Sequence, residues 1–208
     1  MDGTIIFIIQ VLAIVYCITI HEFSHVLAAY LQGDDTGRLM GRLTLNPLAH
    51  LDPIGTVLLF IVGFGWGKPA PFNPYNLRNQ KWGELIVSAA GILSNLASIF
   101  VFVLLLAILL PHLGNNNLFI VFLLFLIFYN ALLMLFNLLP IPPLDGSKIF
   151  FEFLPSKFQH IKDGFSRNGP WILLGLIIAD KFLGIHIFDA LFGWLRGSIF
   201  IDLPMYFL

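Results

Sequence analysis

Residues 4–31 read TIIFIIQVLAIVYCITIHEFSHVLAAYL, an apolar run that is long enough to cross a bilayer as one helix. The run nevertheless contains three ionisable residues close together, His21, Glu22 and His25. An ionisable side chain is costly to place inside a membrane segment, so such a residue marks a candidate functional site. This helix therefore predicts both a membrane-embedded fold and the position of a site within it.

The composition of the whole chain is typical of a membrane protein. Of the 208 residues, 58% are hydrophobic and only 11% are charged, whereas a soluble domain has about 25% charged residues. The formal net charge is −1, which gives no reason to expect a nucleic-acid partner, so the expected surroundings are a lipid bilayer. Cys17 is the single cysteine, which excludes an intrachain disulfide.

Further apolar runs along the chain predict an α-helical polytopic membrane protein with about four to six membrane segments. Residues 83–110 and 118–139 are long enough to cross, but residues 54–66 are about 13 in number, short of the roughly 20 that a spanning helix needs. We interpret that short run as a re-entrant or β-hairpin element after the first span. A single domain over 1–208 is predicted, with core spans at 1–140, a cytoplasmic ligand loop at 141–169 and C-terminal membrane segments at 170–208.

The distribution of basic residues predicts the topology. If residues 54–66 crossed the bilayer fully, the basic residues of the loops would fall on both sides. If that run is re-entrant, nine of them share one side and the turn at 111–117 carries none, as the positive-inside rule prefers. The nine are Arg38, Arg42, Lys68, Arg78, Lys81, Lys148, Lys157, Lys162 and Arg167. We therefore expect both long loops in the cytoplasm and the N-terminus outside.

This topology predicts that two polar sites, distant in sequence, meet at one depth. His21 lies 17 residues beyond Thr4, which is roughly 25 Å along a helix in a hydrocarbon core about 30 Å thick. The histidine pair is thus expected near the cytoplasmic edge. The third long run ends at Leu139 on the same side, shortly before Asp145.

The pattern H-E-x-x-H at 21–25 indicates a metal site. Histidines four positions apart lie about 40° apart around a helix, so both imidazoles can reach one ion. Glu22 lies beside them and is suited to take a proton from a water molecule. The alternative is a pair of hydrogen-bonded core histidines that bind no metal.

A third protein ligand is needed for a catalytic zinc site, and Asp145 is the best candidate. It ends the segment NLLPIPPLD at 137–145, in which the prolines favour an extended backbone, and Gly146 permits a sharp turn after it. A carboxylate on such a segment can fold back onto the histidines. An exposed turn aspartate fits the same residues, and their spacing alone leaves both interpretations open.

The two motifs together, HEFSH at 21–25 and NLLPIPPLDG at 137–146, resemble those of the site-2 proteases, the intramembrane zinc metalloproteases. The resemblance covers most of the chain and is greatest to the small bacterial branch without appended soluble domains. One departure is AGILSN at 90–95, where the family often has a proline after Ala-Gly. Three further segments carry the resemblance: GRLTLNP at 41–47, DPIGT at 52–56 and GKPAPFNPYN at 67–76.

The resemblance implies roles for five residues. His21, His25 and Asp145 are expected to bind one Zn²⁺ per chain, Glu22 to act as the catalytic acid and base, and Asn137 to assist at the reacting carbonyl. The expected activity is that of a zinc-dependent endopeptidase that hydrolyses a peptide bond in a transmembrane helix near the cytoplasmic side, in regulated intramembrane proteolysis. The expected substrate is a transmembrane-helix protein, and the expected location is the bacterial cell membrane.

Two other functions fit the sequence less well. A metal-binding transport protein would need polar groups along a path across the bilayer, often on paired repeats, but here they gather at one depth. A catalytically inactive membrane scaffold would have no need of Glu22. Two further polar residues lie within the predicted spans, Asn95 and Asn130, and they are expected either to line the site or to hydrogen-bond between helices.

Overall fold

The structure is a computed structural model that describes residues 2–62 and 65–200. Most of these residues lie in helices. Eight α-helices and no strand occur within those residues, which confirms the predicted α-helical membrane fold class. Short 3₁₀ turns lie at Pro47–Ala49, Pro74–Asn76 and Ser156–Phe158. The α-helices are α1 (Gly3–Leu31), α2 (Thr36–Leu39), α3 (Pro53–Val62), α4 (Gly83–Leu113), α5 (Leu118–Asn137), α6 (Asp145–Phe153), α7 (Gln159–Phe182) and α8 (Ile187–Ile199).

Three of the described helices, α1, α4 and α5, are long and apolar enough to cross a membrane. They agree with the three predicted long spans, and they make the chain an integral membrane protein. The other predicted segments, up to a total of six, have no equally long apolar helix in the described part of the chain. The three helices pack on one another, and small side chains on α1, Ala13 and Cys17, are fully buried where it meets its neighbours. Small residues at such contacts let helix backbones approach closely.

The short apolar run after the first span folds as helix α3 and returns to its starting point. The ten residues of α3 are about 15 Å long, half the thickness of the hydrocarbon core. An antiparallel bridge joins Leu51 to Gly67, and the Lys68 backbone N–H donates to the His50 carbonyl at 2.8 Å. The two ends of the segment are therefore adjacent, an arrangement that a re-entrant element requires. Residues 53–62 form a helix and not the alternative β-hairpin. Residues 63–64 of the predicted run lie outside the described residues.

The predicted loop at 141–169 is wrong as a description of the local structure, because α6 and the first half of α7 lie there. The boundary expected at residue 170 also falls inside α7, which continues through Pro170. Prolines are read as helix breakers because they lack an N–H donor. Helix α7 nevertheless includes Pro170, and the neighbouring Gly169 lies so close to the backbone of Pro142 that a Cβ on it would collide. Residues 201–208 of the predicted C-terminal segment lie outside the described residues.

A buried aspartate joins the end of α1 to the loop before α4. The Asp34 carboxylate accepts hydrogen bonds from the N–H and hydroxyl of Thr36, the N–H of Asn73 and the side-chain amide of Asn76. Burial raises the pKa of Asp34, but these hydrogen bonds outweigh burial and hold the pKa below its usual value. The four donors thereby anchor the segment that leads back into the membrane core.

Candidate metal centre

Helix α1 presents two histidines on one buried face. His21 and His25 are 4% and 6% exposed, and their ring centroids lie 4.5 Å apart with the ring planes at 89°. The two Nε2 atoms are 3.0 Å apart. The four-residue spacing places both side chains on the same side of the helix, as the motif predicts.

Asp145, the first residue of α6, brings a carboxylate to these histidines. Its Oδ2 lies 3.2 Å from His21 Nε2 and 3.0 Å from His25 Nε2, and the residue is 7% exposed. The alternative of an exposed turn aspartate is therefore wrong. Gly146 lies in the first turn of α6, against the backbone carbonyl of Leu138, where a Cβ would collide. Glycine is needed there for that close approach and not for the sharp turn that its position in the sequence suggested.

The three atoms fit a small divalent cation. They form a triangle with sides of 3.0–3.2 Å, and tetrahedral zinc with bonds of 2.0–2.1 Å has ligand atoms about 3.3 Å apart. Asp145 Oδ2 is also buried, and no hydrogen-bond donor among the described residues is aligned on it. Within the described residues these three side chains form the group that could hold a metal ion.

The far nitrogen of each imidazole has its own hydrogen-bond partner on α4. His25 Nδ1 lies 2.7 Å from the Val87 carbonyl oxygen, and His21 Nδ1 lies 2.8 Å from Asn95 Oδ1. Both partners are acceptors, so each Nδ1 donates its hydrogen and each Nε2 presents a lone pair to the centre. The sequence marks Asn95 as a polar residue within a span but does not indicate its contact with His21. Nothing in the sequence points to Val87, because a backbone acceptor leaves no signal in the residue type.

A glycine of α4 makes room for the two rings. A Cβ placed on Gly91 would lie 2.5 Å from His25 Cε1 and Nε2 and 2.6 Å from His21 Cε1. These distances are well inside van der Waals contact, so the rings pack directly on the α4 backbone. The only signal in the sequence was a glycine within an otherwise apolar span.

Glu22 lies between the histidines in sequence and is half-buried. Its Oε2 is buried and has no hydrogen-bond partner among the described residues. The segment that follows α3 lies beside Glu22, since a Cβ on Gly67 would be 3.6 Å from Glu22 Cγ. The Arg42 guanidinium donates to the carbonyls of Lys68 and Pro69. Burial lowers the pKa of Arg42, and the negative charge of Glu22 partly offsets that effect.

Asn137 is the one predicted site residue that the structure does not join to the others. It ends α5 and is half-buried, and its side-chain Nδ2 donates to the Leu133 carbonyl at 3.0 Å within the same helix. A primary amide has a second hydrogen to donate. The assignment of that donor to the reacting carbonyl stays a prediction.

The structure thus combines helices long and apolar enough to span a membrane with two buried histidines and a buried carboxylate that could hold a metal ion, a donor set of the kind that zinc prefers. The sequence model described as peptidase family M50 matches residues 111–176, which include Asp145. YwhC of Bacillus subtilis, named as a candidate zinc metalloprotease, is 40% identical over 198 residues, which cover 91% of this chain and 88% of YwhC. Rip2 of Mycolicibacterium smegmatis, named in the same way, is 34% identical over 154 residues, which cover 68% of this chain and 55% of Rip2.

No solved structure matches the chain. The chain belongs to peptidase family M50, the site-2 proteases, and is a zinc metalloprotease. The resemblance found in the sequence motifs is thereby confirmed.

Proposed function

We propose that the chain is a zinc-dependent intramembrane endopeptidase that hydrolyses a peptide bond within a transmembrane helix near the cytoplasmic side. One observation carries the proposal: the convergence of Asp145 with His21 and His25 on a helix that is apolar enough to cross the bilayer. A protease whose centre is built into a spanning helix is suited to substrates that reach it through the membrane.

The proposed roles follow from the positions of the side chains. His21, His25 and Asp145 hold one zinc ion per chain. When bound, zinc supplies Lewis-acid polarisation of a carbonyl group and makes water more acidic. Glu22 takes the proton of the attacking water and later delivers it to the leaving amine. A carboxylate with a buried, unpartnered oxygen is suited to this work, because no donor among the described residues occupies the lone pair that would accept the proton.

Asn137 is proposed to donate a hydrogen bond to the oxygen of the reacting carbonyl. A neutral donor near the carbonyl stabilises the negative charge that develops there in the transition state. One amide hydrogen is used on Leu133, so the second is the one assigned to the substrate.

The proposed substrate is a transmembrane-helix protein, cut in regulated intramembrane proteolysis. Its scissile bond is protected by intrahelical hydrogen bonds, so the substrate helix must unwind locally before Glu22 and the attacking water reach the carbonyl. Glycine or proline near the cut weakens the helix and favours that unwinding.

The proposed orientation places both long loops in the cytoplasm and the turn at 111–117 outside a bacterial cell membrane. The charge asymmetry of the loops supports it. The test is labelling of single cysteines in intact cells, with Cys17→Ala as the background and one cysteine at Met40 or Asn115. We expect an impermeant maleimide to label the Asn115→Cys variant alone; labelling of Met40→Cys alone would reverse the proposed orientation.

The activity is tested by cleavage in proteoliposomes of a transmembrane substrate that contains glycine. Wild type is compared with Glu22→Gln and with a control, Glu84→Gln, at an exposed glutamate on α4. Chelator treatment and zinc add-back are applied to each, and mass spectrometry locates the cut. We expect cleavage within the transmembrane segment that needs Glu22 and zinc but not Glu84. A cut confined to the soluble flanks of the substrate would refute the intramembrane assignment.

A further inference from the structure

Two asparagines on different helices form a buried relay that ends on His21. Asn130 of α5 donates through Nδ2 to the Leu126 carbonyl at 2.7 Å, and its Oδ1 accepts from Asn95 Nδ2 at 2.8 Å. Asn95 of α4 then accepts through Oδ1 from His21 Nδ1 at 2.8 Å. Both asparagines are fully buried, with an exposure of 0%, so water does not substitute for any of these bonds.

The orientation of each amide in this relay is set by backbone carbonyls, which are acceptors in every state. The Leu126 carbonyl requires the amino group of Asn130, which turns the Asn130 oxygen towards Asn95. The amino group of Asn95 must then face that oxygen, and the Cys17 carbonyl lies 3.4 Å away on the same side. The oxygen of Asn95 is left to face His21, so His21 Nδ1 must carry the hydrogen.

Reversal of the Asn95 amide is strongly disfavoured. It would turn Asn95 Oδ1 towards the Asn130 oxygen and the Cys17 carbonyl, and three acceptors would face one another in a buried space. A buried acceptor that loses its donor is left unsatisfied, which disfavours that orientation. His25 needs no such relay because its partner, the Val87 carbonyl, belongs to the backbone and has no alternative orientation.

We propose that Asn95 and Asn130 are positioning residues that hold His21 in the tautomer whose Nε2 lone pair binds zinc. This inference rests on the proposed role of His21 as a zinc ligand. Asn95 acts directly on His21, and Asn130 acts by fixing the orientation of Asn95. Neither residue is a catalytic residue, because both lie behind the imidazole and outside the triangle of ligand atoms.

The decisive comparison is between two variants of Asn95 with nearly the same shape. Asn95→Asp keeps an oxygen acceptor for His21 Nδ1, as in the carboxylate–histidine–zinc arrangement common in metalloproteins, but its second oxygen faces the Asn130 oxygen and the Cys17 carbonyl, so this variant loses stability while it keeps the zinc ligand oriented. Asn95→Leu removes every hydrogen-bonding atom. If the residue only filled space between helices, the apolar leucine would be tolerated and the buried carboxylate would not. If it sets the tautomer, the order of zinc affinities is reversed.

We expect Asn95→Leu to weaken zinc binding by about 10- to 100-fold, the usual effect of losing a partner behind a metal ligand. Asn95→Asp should stay within several-fold of wild type, and Asn130→Leu should lie between. Zinc affinity is measured on the full-length protein in detergent by competition with a chromophoric chelator. The control is Ser98→Ala on the same face of α4, since the Ser98 hydroxyl forms a hydrogen bond with the Tyr16 hydroxyl and does not belong to the relay.

A second readout reports the tautomer directly. Nitrogen-15 spectra of histidine-labelled protein, stripped of zinc by chelation, distinguish a protonated from an unprotonated Nδ1. We expect wild type to show a protonated Nδ1 at His21, and Asn95→Leu to show a mixture. Unchanged zinc affinity and tautomer in Asn95→Leu, or tighter binding by the leucine variant than by the aspartate variant, would overturn the inference and leave the proposed protease activity intact. Wild-type protein that binds no zinc would instead refute the proposed ligand set itself.

Discussion

Replacement of Gly91 by alanine gives the sharpest test of how the histidines are packed. The added methyl carbon would lie 2.5 Å from two atoms of the His25 ring and 2.6 Å from the His21 ring. Ordinary contact begins near 3.4 Å, so the rings or the helix must move apart by about 0.9 Å. Metal sites tolerate errors in ligand position of about 0.2 Å. The displacement is several times larger, and we expect zinc affinity to fall by at least about 100-fold, as in the upper range for disturbed ligand shells.

The same substitution should have a smaller effect on folding. Overpacking costs about 1–3 kcal/mol, but alanine gains about 1 kcal/mol over glycine inside a helix. The net change in the free energy of unfolding is therefore about 0–2 kcal/mol of destabilisation. A large loss of zinc affinity with a small loss of stability would separate the metal site from the fold.

The assay compares Gly91→Ala with Gly175→Ala, a helical glycine in α7 whose Cβ would meet no atom within 4 Å. Zinc content is measured by elemental analysis, affinity by chelator competition and stability by thermal unfolding in the same detergent. Wild-type zinc affinity in Gly91→Ala would refute the reasoning, because it would mean that the two imidazoles do not pack on the backbone of α4.

Three further predictions concern residues on other elements. Glu22→Gln should reduce cleavage by at least about 10³-fold while zinc stays bound, whereas Asp145→Ala should lose both activity and zinc; elemental analysis beside the cleavage assay separates them. Gly146→Ala, whose methyl group would collide with the Leu138 carbonyl, should shift α6 and lower zinc affinity, as chelator competition would measure. Asp34→Asn should lower the free energy of unfolding by about 1–3 kcal/mol through the loss of charged hydrogen bonds, as thermal unfolding would show.

The Asp34 prediction includes a pH dependence. Because the pKa of Asp34 is lower in the folded chain than its ordinary value of 3.8, its contribution to stability is complete above that value. The contribution is lost as the pH falls through the lower folded-state pKa. We expect the stability difference between wild type and Asp34→Asn to shrink below about pH 4. A constant difference down to pH 2 would contradict this linkage.

Two variants at exposed or half-exposed side chains serve as controls for these predictions. Glu84→Gln should leave both zinc and cleavage unchanged, and Asp35→Asn, at a half-exposed side chain paired with Arg38, should change stability by less than about 1 kcal/mol. Zinc content equal to wild type in Asp145→Ala would count against its ligand role. Unaltered zinc affinity in Gly146→Ala would mean that α6 adjusts without moving the carboxylate.

Sequence patterns predicted the three spans well because an apolar run is a local property. The predicted starts and ends of α1, α4 and α5 differ from the observed ones by no more than three residues. The histidine pair was equally predictable, since residues four apart share one face of any helix. The length of residues 54–66 and the charges of the flanking loops predict a re-entrant element, and the structure brings the two ends of that segment together.

Prediction was weaker where proline and glycine were interpreted without their neighbours. The proline-punctuated segment 141–169 predicts a loop, but α6 and the first half of α7 lie there. Helix α6 packs on α4, and Gly146 and Gly169 lie against the backbones of Leu138 and Pro142. Gly146 suggested a turn, whereas it is a point of close approach to Leu138. Proline restricts and glycine widens the set of conformations that the backbone can adopt, and tertiary contacts select one of them.

By itself the sequence determined that the chain is a helical membrane protein with two histidines at metal-ligand spacing in its first span, because run length and helical spacing need no distant contact. Only the tertiary structure decided that Asp145 reaches the pair and which acceptors lie behind the histidines. The hydrogen bonds to Val87 and Asn95 join residues 62 and 74 positions apart. Such contacts depend on how α1, α4 and α5 pack in register, and no pattern within one helix encodes the side chain or carbonyl that another helix will place opposite it.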